Sequence, residues 1–205
     1  SVDDGSYQST SNISIDWTDS VDPESGIATY NIYITTGNVN LVSSNASTYI
    51  ESFSIATKSV LVTSLSNRLV EGTEYKVGVA AKNIARLYSP VTISDKFIAD
   101  GTPPVVTMNG DNKDFVSATE AEITVSWNAS ENLGGITHYE YSLIKEGAGS
   151  PVTTSVLTTN ATSVEKLITG AILENNKKYF ARVRAKNNAG LWSEYKLSDG
   201  VTADA

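Results

Sequence analysis

One pattern occurs twice in this chain at a spacing of about 104 to 110 residues, a period too long for a solenoid repeat and the size of a whole domain. Ile13-Ser14-Ile15-Asp16-Trp17 returns as Ile123-Thr124-Val125-Ser126-Trp127. Gly26-Ile27 followed by Tyr30, Ile32 and Ile34 returns as Gly135-Ile136 followed by Tyr139, Tyr141 and Leu143. The longest match sets Tyr75-Lys76-Val77-Gly78-Val79-Ala80-Ala81-Lys82-Asn83 against Tyr179-Phe180-Ala181-Arg182-Val183-Arg184-Ala185-Lys186-Asn187. All three alternate apolar and polar residues, the period of a half-buried strand, and no window shows a sustained 3.6-residue apolar stripe. The chain therefore reads as all-β and duplicated.

Between the copies, Pro103 and Pro104 fix φ and remove two backbone donors, so sheet pairing should lapse there. This places the boundary between residues 100 and 101, giving domains over 1–100 and 101–205. A short Pro-Pro step is stiff and extended, which predicts copies arranged end to end. Both ends of the sequence fall at the same phase of the repeat, so the expectation is two neighbouring units of a longer array.

Charge and composition remove several function classes. Fifteen Lys and Arg against 23 Asp and Glu give a formal charge of −8, the wrong sign for neutralising phosphates, so nucleic acid is not an expected partner. No run approaches the ~20 consecutive apolar residues that cross a bilayer, so no membrane insertion is expected. Without Cys there is no disulfide, thiolate nucleophile or Cys-ligated metal, and one His excludes a site built on two imidazoles.

The run Leu69, Tyr75, Val77, Val79, Ala81 and Asn83, with Trp17 upstream, resembles the fibronectin type III domain. The second copy resembles it further, with Trp127, Leu173, Tyr179, Val183, Ala185, Asn187, Ala189, Gly190 and Leu191. The resemblance implies two consecutive seven-stranded antiparallel β-sandwiches, each with its tryptophan in the core. Asp22-Pro23-Glu24-Ser25-Gly26-Ile27 and the Asp-Gly-Thr-Pro-Pro junction look like a subgroup found in arrays on secreted and cell-surface proteins, often microbial. Tyr75 and Tyr179 stand where a corner tyrosine turns its hydroxyl onto upstream backbone. Arg86 occupies the place of Gly190, which predicts a different backbone in that turn.

Each candidate for chemistry has a plainer reading beside it. His138 is expected to be a solvated residue on an outward strand face. Asp19, Asp22 and Glu24 share one turn, and Asp3, Asp4, Asp95, Asp100, Asp111 and Asp114 are expected near domain ends; of these, Asp95 and Asp100, repeated as Asp199 and Asp204, could help bind a calcium ion that stiffens the junction. Asp is equally favoured in turns for its bonds to nearby backbone, and no dense ligand loop occurs. Trp192 and its counterpart Tyr88 follow the sixth strand, where a ring either stacks on a ligand or packs on its own sandwich. The stretch from Gly37 to Ser54 is expected to hold a short strand, not a lid. Asn12, Asn45, Asn128 and Asn160 begin Asn-x-Ser/Thr triplets that would mark surface positions.

No catalytic residue, cofactor site or metal site is assigned from the sequence. The expected role is a non-catalytic spacer or stalk in an extracellular or cell-surface protein such as an adhesin, monomeric, with neighbouring domains of the same polypeptide as partners. The alternative is a recognition module for a polysaccharide or cell-surface protein, including accessory domains of a secreted carbohydrate-active enzyme.

Overall fold

A computed structural model describes residues 7–36, 51–57, 59–63, 69–111 and 113–205, and none of these is helical. The chain divides into two compact units, Ser1–Gly101 and Thr102–Ala205.

The second unit has β9 (Val105–Asp111), β10 (Phe115–Ser117), β11 (Ala121–Ser130), β12 (Ile136–Lys145), β13 (Pro151–Thr158), β14 (Ser163–Ala171), β15 (Lys178–Asn187), β16 (Lys196–Leu197) and β17 (Val201–Asp204). One sheet runs β14-β11-β9 and the other β10-β17-β15-β12-β13, with β16 also on β15. The first strand is broken into β9 and β10, one piece in each sheet, and the last into β16 and β17, which reduces nine pieces to a seven-strand framework. The first unit repeats it with β1 (Tyr7–Ser9), β2 (Ile13–Asp16), β3 (Ile27–Thr36), β4 (Glu51–Ile55), β5 (Ser59–Val62), β6 (Glu74–Asn83), β7 (Thr92–Ile93) and β8 (Phe97–Asp100). Its sheets are β2-β5 and β1-β8-β6-β3-β4, with β7 on β6.

Among the described residues pairing is antiparallel with one exception per unit: β1 runs parallel to β8, and β10 parallel to β17. Local periodicity carries no trace of this, because it joins the first and last strands of a unit, far apart in sequence.

Alternation puts the expected residues inside. In the second unit Ile123, Val125, Trp127, Tyr139, Leu143, Val183 and Ala185 are buried, with Tyr141 half-buried against them. Trp127 meets the Tyr139 ring edge-on at 5.4 Å, a favoured aromatic geometry. In the first unit Ile13, Ile15, Ile32, Ile34, Tyr75, Val77 and Phe97 do the same. Trp17 departs from expectation: it touches the core and meets Tyr30 at 5.2 Å, yet is only half-buried.

Two devices close each sandwich, and both are duplicated. The hydroxyl of Tyr75 accepts a hydrogen bond from Val70 N at 2.8 Å, and that of Tyr179 from Glu174 N at 2.9 Å. These are the corner tyrosines the sequence pattern calls for. The second device is a pair of serines five residues apart. Ser89 and Ser94 Oγ accept from Ala81 N and Val77 N, and Ser193 and Ser198 Oγ accept from Ala185 N and Ala181 N, all at 3.0 Å. Where the last strand strays from the sixth, a side-chain oxygen takes the place of a ladder carbonyl and satisfies the amide.

Candidate functional site

A cluster of polar and aromatic side chains in the second unit lies on the outward face of β12 and β15. Strand alternation turns Glu140 and Ser142 on β12, and Arg182, Arg184 and Lys186 on β15, away from the core. The segment after β15 lays Trp192 and Tyr195 across them. The Arg182 guanidinium lies 4.3 Å from the Tyr195 ring centre; Arg184 lies 4.7 Å from that ring and 4.5 Å from Trp192; Lys186 Nζ lies 5.7 Å from Trp192. Cation and ring alternate through five side chains, Arg182, Tyr195, Arg184, Trp192 and Lys186, at distances typical of cation–π contact.

Glu140 ties the middle of this ladder. Its Oε2 accepts from Arg184 Nη2 at 2.6 Å and Nε at 3.2 Å, and its Oε1 accepts from the Tyr195 hydroxyl. Arg182 Nε donates to Ser142 Oγ at 2.8 Å. Burial pushes the Glu140 carboxyl up, but the Tyr195 and Arg184 donors outweigh it and hold the group below the ordinary glutamate range. Burial, then the hydrogen bond to Glu140, pushes the Tyr195 hydroxyl above the usual tyrosine value. The ladder was not foreseen, although its signal is in the sequence: Arg at alternate positions of one strand, followed by Trp-x-x-Tyr.

The first unit does not repeat it. Gly78 and Ala80 replace Arg182 and Arg184, Val91 replaces Tyr195, and Tyr33 replaces Ser142. The result is a small apolar cluster of Tyr33, Ala80 and Val91. Only the outermost step survives, with Lys82 Nζ 5.2 Å from the Tyr88 ring. Trp192 and Tyr88 also share a backbone bridge, to Lys186 and Lys82 respectively. The bridge and the cation over the ring thus recur in both units, and Trp192 packs on its own sandwich.

The carboxylates work on their own backbone. Asp22 Oδ1 accepts from Glu24 N and Ser25 N, and Oδ2 from Asn83 Nδ2 at 2.8 Å. The Ser25 amide and then the Asn83 amide group lower its carboxyl from the ordinary value. Asn83 Oδ1 in turn accepts from Leu87 N. In the second unit Glu131 takes the part of Asp22, accepting from Asn132 N and Asn187 Nδ2, while Asn187 Oδ1 accepts from Leu191 N. Asp100 is wholly buried, whereas Asp95 is exposed. Asp111 and Asp199 each accept a backbone amide, from Gly200 and Asp111. Among the described residues no three His, Asp or Glu side chains converge as metal ligands. Asp19, Glu24, Asp114 and Asp204 are exposed, and Asp3, Asp4 and Asn45 lie outside the described residues, as does 37–50 of the Gly37 to Ser54 stretch.

Two expectations are corrected. His138 is half-buried, with Nδ1 shielded from solvent and without a hydrogen-bond partner, instead of solvated; strands on both sides of it, β13 and β15, crowd its position. Arg86 has φ 69°, beside 80° for Gly190, so both turns use the left-handed region. Their hydrogen bonds match as well: Arg86 N to Asn83 O and Asn83 N to Leu87 O, against Gly190 N to Asn187 O and Asn187 N to Leu191 O.

No family model matches the sequence. Among solved structures, the chain is similar to the FN1–FN3 domains of chicken CNTN1, with TM-score 0.60 and 15% identity over 97% of this chain and 64% of that one. It is also similar to the fibronectin(III)-like modules of Clostridium thermocellum CbhA, with TM-score 0.57 and 17% identity over 100% of this chain and 93% of that one. The fold is that of tandem fibronectin type III sandwiches. The type III framework accounts for the corner tyrosines and the broken first and last strands, and identities of this size establish fold alone. The chain spans 64% of the CNTN1 structure it matches.

Proposed function

We propose that the two type III units are non-catalytic spacer modules of an extracellular or cell-surface polypeptide, monomeric, with the domains on either side as their partners. The observation that carries this reading is how the polar side chains are used. Asp22, Asn83, Ser89, Ser94 and Tyr75 in one unit, and Glu131, Asn187, Ser193, Ser198 and Tyr179 in the other, all bond to their own unit's backbone or to each other. The ladder follows the same logic, since Glu140, Arg184 and Tyr195 are mutually satisfied. Enzymes leave a nucleophile or an acid–base pair aimed at open space; here the carboxylates of Asp22, Glu131 and Glu140 are engaged by donors of their own unit.

Force spectroscopy and a binding screen test the reading together. Pulling the chain from its ends should give two separate unfolding events, each freeing about a hundred residues whose extended span is roughly 350 Å at ~3.3–3.6 Å per residue, less the length the folded unit already spans. A glycan array and a cell-surface protein pull-down should give no saturable signal with wild type. Specific binding that disappears in Trp192→Ala would replace the spacer reading with recognition through the ladder.

A further inference from the structure

Among the described residues, each sheet of the second unit ends in two edge strands, and three of the four carry devices that discourage further pairing. β10 is three residues long, β14 contains Glu165 and Lys166, and β9 has a register break opposite Ser126 and Trp127 and ends on Asp111. β13 is different. It has eight residues, and no Asp, Glu, Lys, Arg or His occurs anywhere in 147–164. Pro151 and a register break opposite Leu143 and Ile144 blunt its first end, but from Thr153 to Thr158 its ladder with β12 is unbroken. In the first unit the same edge is β4, five residues that open on Glu51.

The free hydrogen-bonding groups of β13 fall on alternate residues. Thr159 N donates to Thr137 O and Leu143 N to Thr153 Oγ1, so the odd-numbered residues of this segment turn their backbone to β12. Thr154, Val156 and Thr158 therefore direct N–H and C=O at the open edge, and alternation puts their side chains together on the outward face. Val156 is 64% exposed, with Thr154 and Thr158 exposed on either side of it. The row is symmetric about Val156, a threonine standing two positions before it and two after. Its neighbours across β12 are Ser142, Glu140 and His138, and Glu140 is bonded to Arg184 at 2.6 Å, so no unpaired carboxylate lies beside it.

We propose that β13 pairs antiparallel with β13 of a second copy of this chain, about a two-fold axis through Val156. Val156 then faces Val156 of the second copy, Thr154 faces its Thr158, and these outward residues exchange backbone hydrogen bonds pair by pair. Pairs of β-branched residues and of threonines are favourable across antiparallel strands, and no like charges are opposed. The row itself specifies the occupant: an identical strand set antiparallel meets it residue for residue, and the contact uses up both edges, which closes the assembly at two. One edge of this length buries far less than the ~1,200 Å² of a stable interface, so the dilute chain stays monomeric and pairing arises where copies stand at ~millimolar local density. Lateral pairing of this kind goes beyond the spacer reading and rests on β13 alone.

The test is nuclear magnetic resonance on the full 205-residue chain, from about 20 μM to about 1 mM. Tumbling and diffusion should slow reversibly as concentration rises. Over the same range amide exchange should slow at Thr154, Val156 and Thr158, and not at Ser155 and Leu157, whose amides already bond β12. Val156→Lys sets two ammonium groups on the axis and should weaken pairing at least about tenfold, with the fold kept by circular dichroism because the native side chain is largely exposed. Val156→Ile should pair as wild type does. The wild-type exchange pattern reads the register without any variant. Unchanged tumbling up to millimolar chain, pairing that survives Val156→Lys, or concentration-dependent protection over 105–111 or 163–171 in place of 154–158 would each overturn the proposal.

Discussion

Replacing Arg86 by glycine should stabilise the first unit by about 0.5–1 kcal/mol. The residue has φ 69° in a turn whose hydrogen bonds are those around Gly190. A side chain in the left-handed region costs ~1–2 kcal/mol through its Cβ. Glycine removes that cost but has more unfolded conformations to lose, an offset of ~0.4–1 kcal/mol. Arg86 is exposed, so little packing is lost with its side chain. The reciprocal change, Gly190→Ala, should destabilise the second unit by a similar amount. A Cβ there meets nothing nearer than Lys186 Cε at 3.9 Å, an ordinary contact, so backbone conformation alone sets the cost. Amide exchange read separately over β6 and β15 assigns each change to its unit. In a thermal melt the shifts should be about 2–8 °C, upward for Arg86→Gly and downward for Gly190→Ala. A fall in β6 protection for Arg86→Gly, or no effect of Gly190→Ala, would refute the claim that the two turns share one strained geometry.

Trp127→Ala should cost ~3–5 kcal/mol and unfold the second unit, while Trp17→Ala, at a half-buried site, should cost measurably less; denaturant titration of each variant ranks them. Tyr179→Phe leaves the Glu174 amide without its acceptor and should cost ~1–2 kcal/mol, with no change in ring packing by nuclear magnetic resonance. Because the Glu140 carboxyl is depressed in the folded state, its contribution is present above the ordinary glutamate range near pH 4.5 and is lost as pH falls through the lowered value. The acid limb of stability in the second unit should therefore be flatter in Glu140→Gln, and ring signals of Tyr195 should move in that same window in wild type.

Much of the fold was legible because period-two alternation is local: Ile13, Ile15, Ile123, Val125 and Trp127 declare their facing within five residues. The corner tyrosines were legible for the same reason, sitting at fixed distance from the polar turn each one bonds. What failed depends on partners remote in sequence. Trp17 carries the same local pattern as Trp127, but burial at this position depends on a neighbouring strand, β9 in the second unit, that the local pattern does not contain. The serine pairs were not legible, since nothing in their spacing reveals which amides of the sixth strand lack a carbonyl. The partners of Asp22 were not legible, because its bonds to Ser25 and Asn83 close a loop that only the folded chain brings together. Arg86 misled because the preference for glycine at positive φ is an energy difference of ~1–2 kcal/mol that a cooperative turn can override.

The contrast between the outward faces of the two units bears on how a duplicated chain avoids tangling with itself. Neighbouring copies with interchangeable strands can trade them during folding and jam in a mixed state. Here β15 placed in the first sandwich would drive two guanidinium groups into the site where Tyr33 closes over Gly78 and Ala80. Conversely, β6 placed in the second would strand Glu140 without its cation. Each copy thus marks its own sixth strand chemically, on the side of the sheet that the shared interior leaves free to vary.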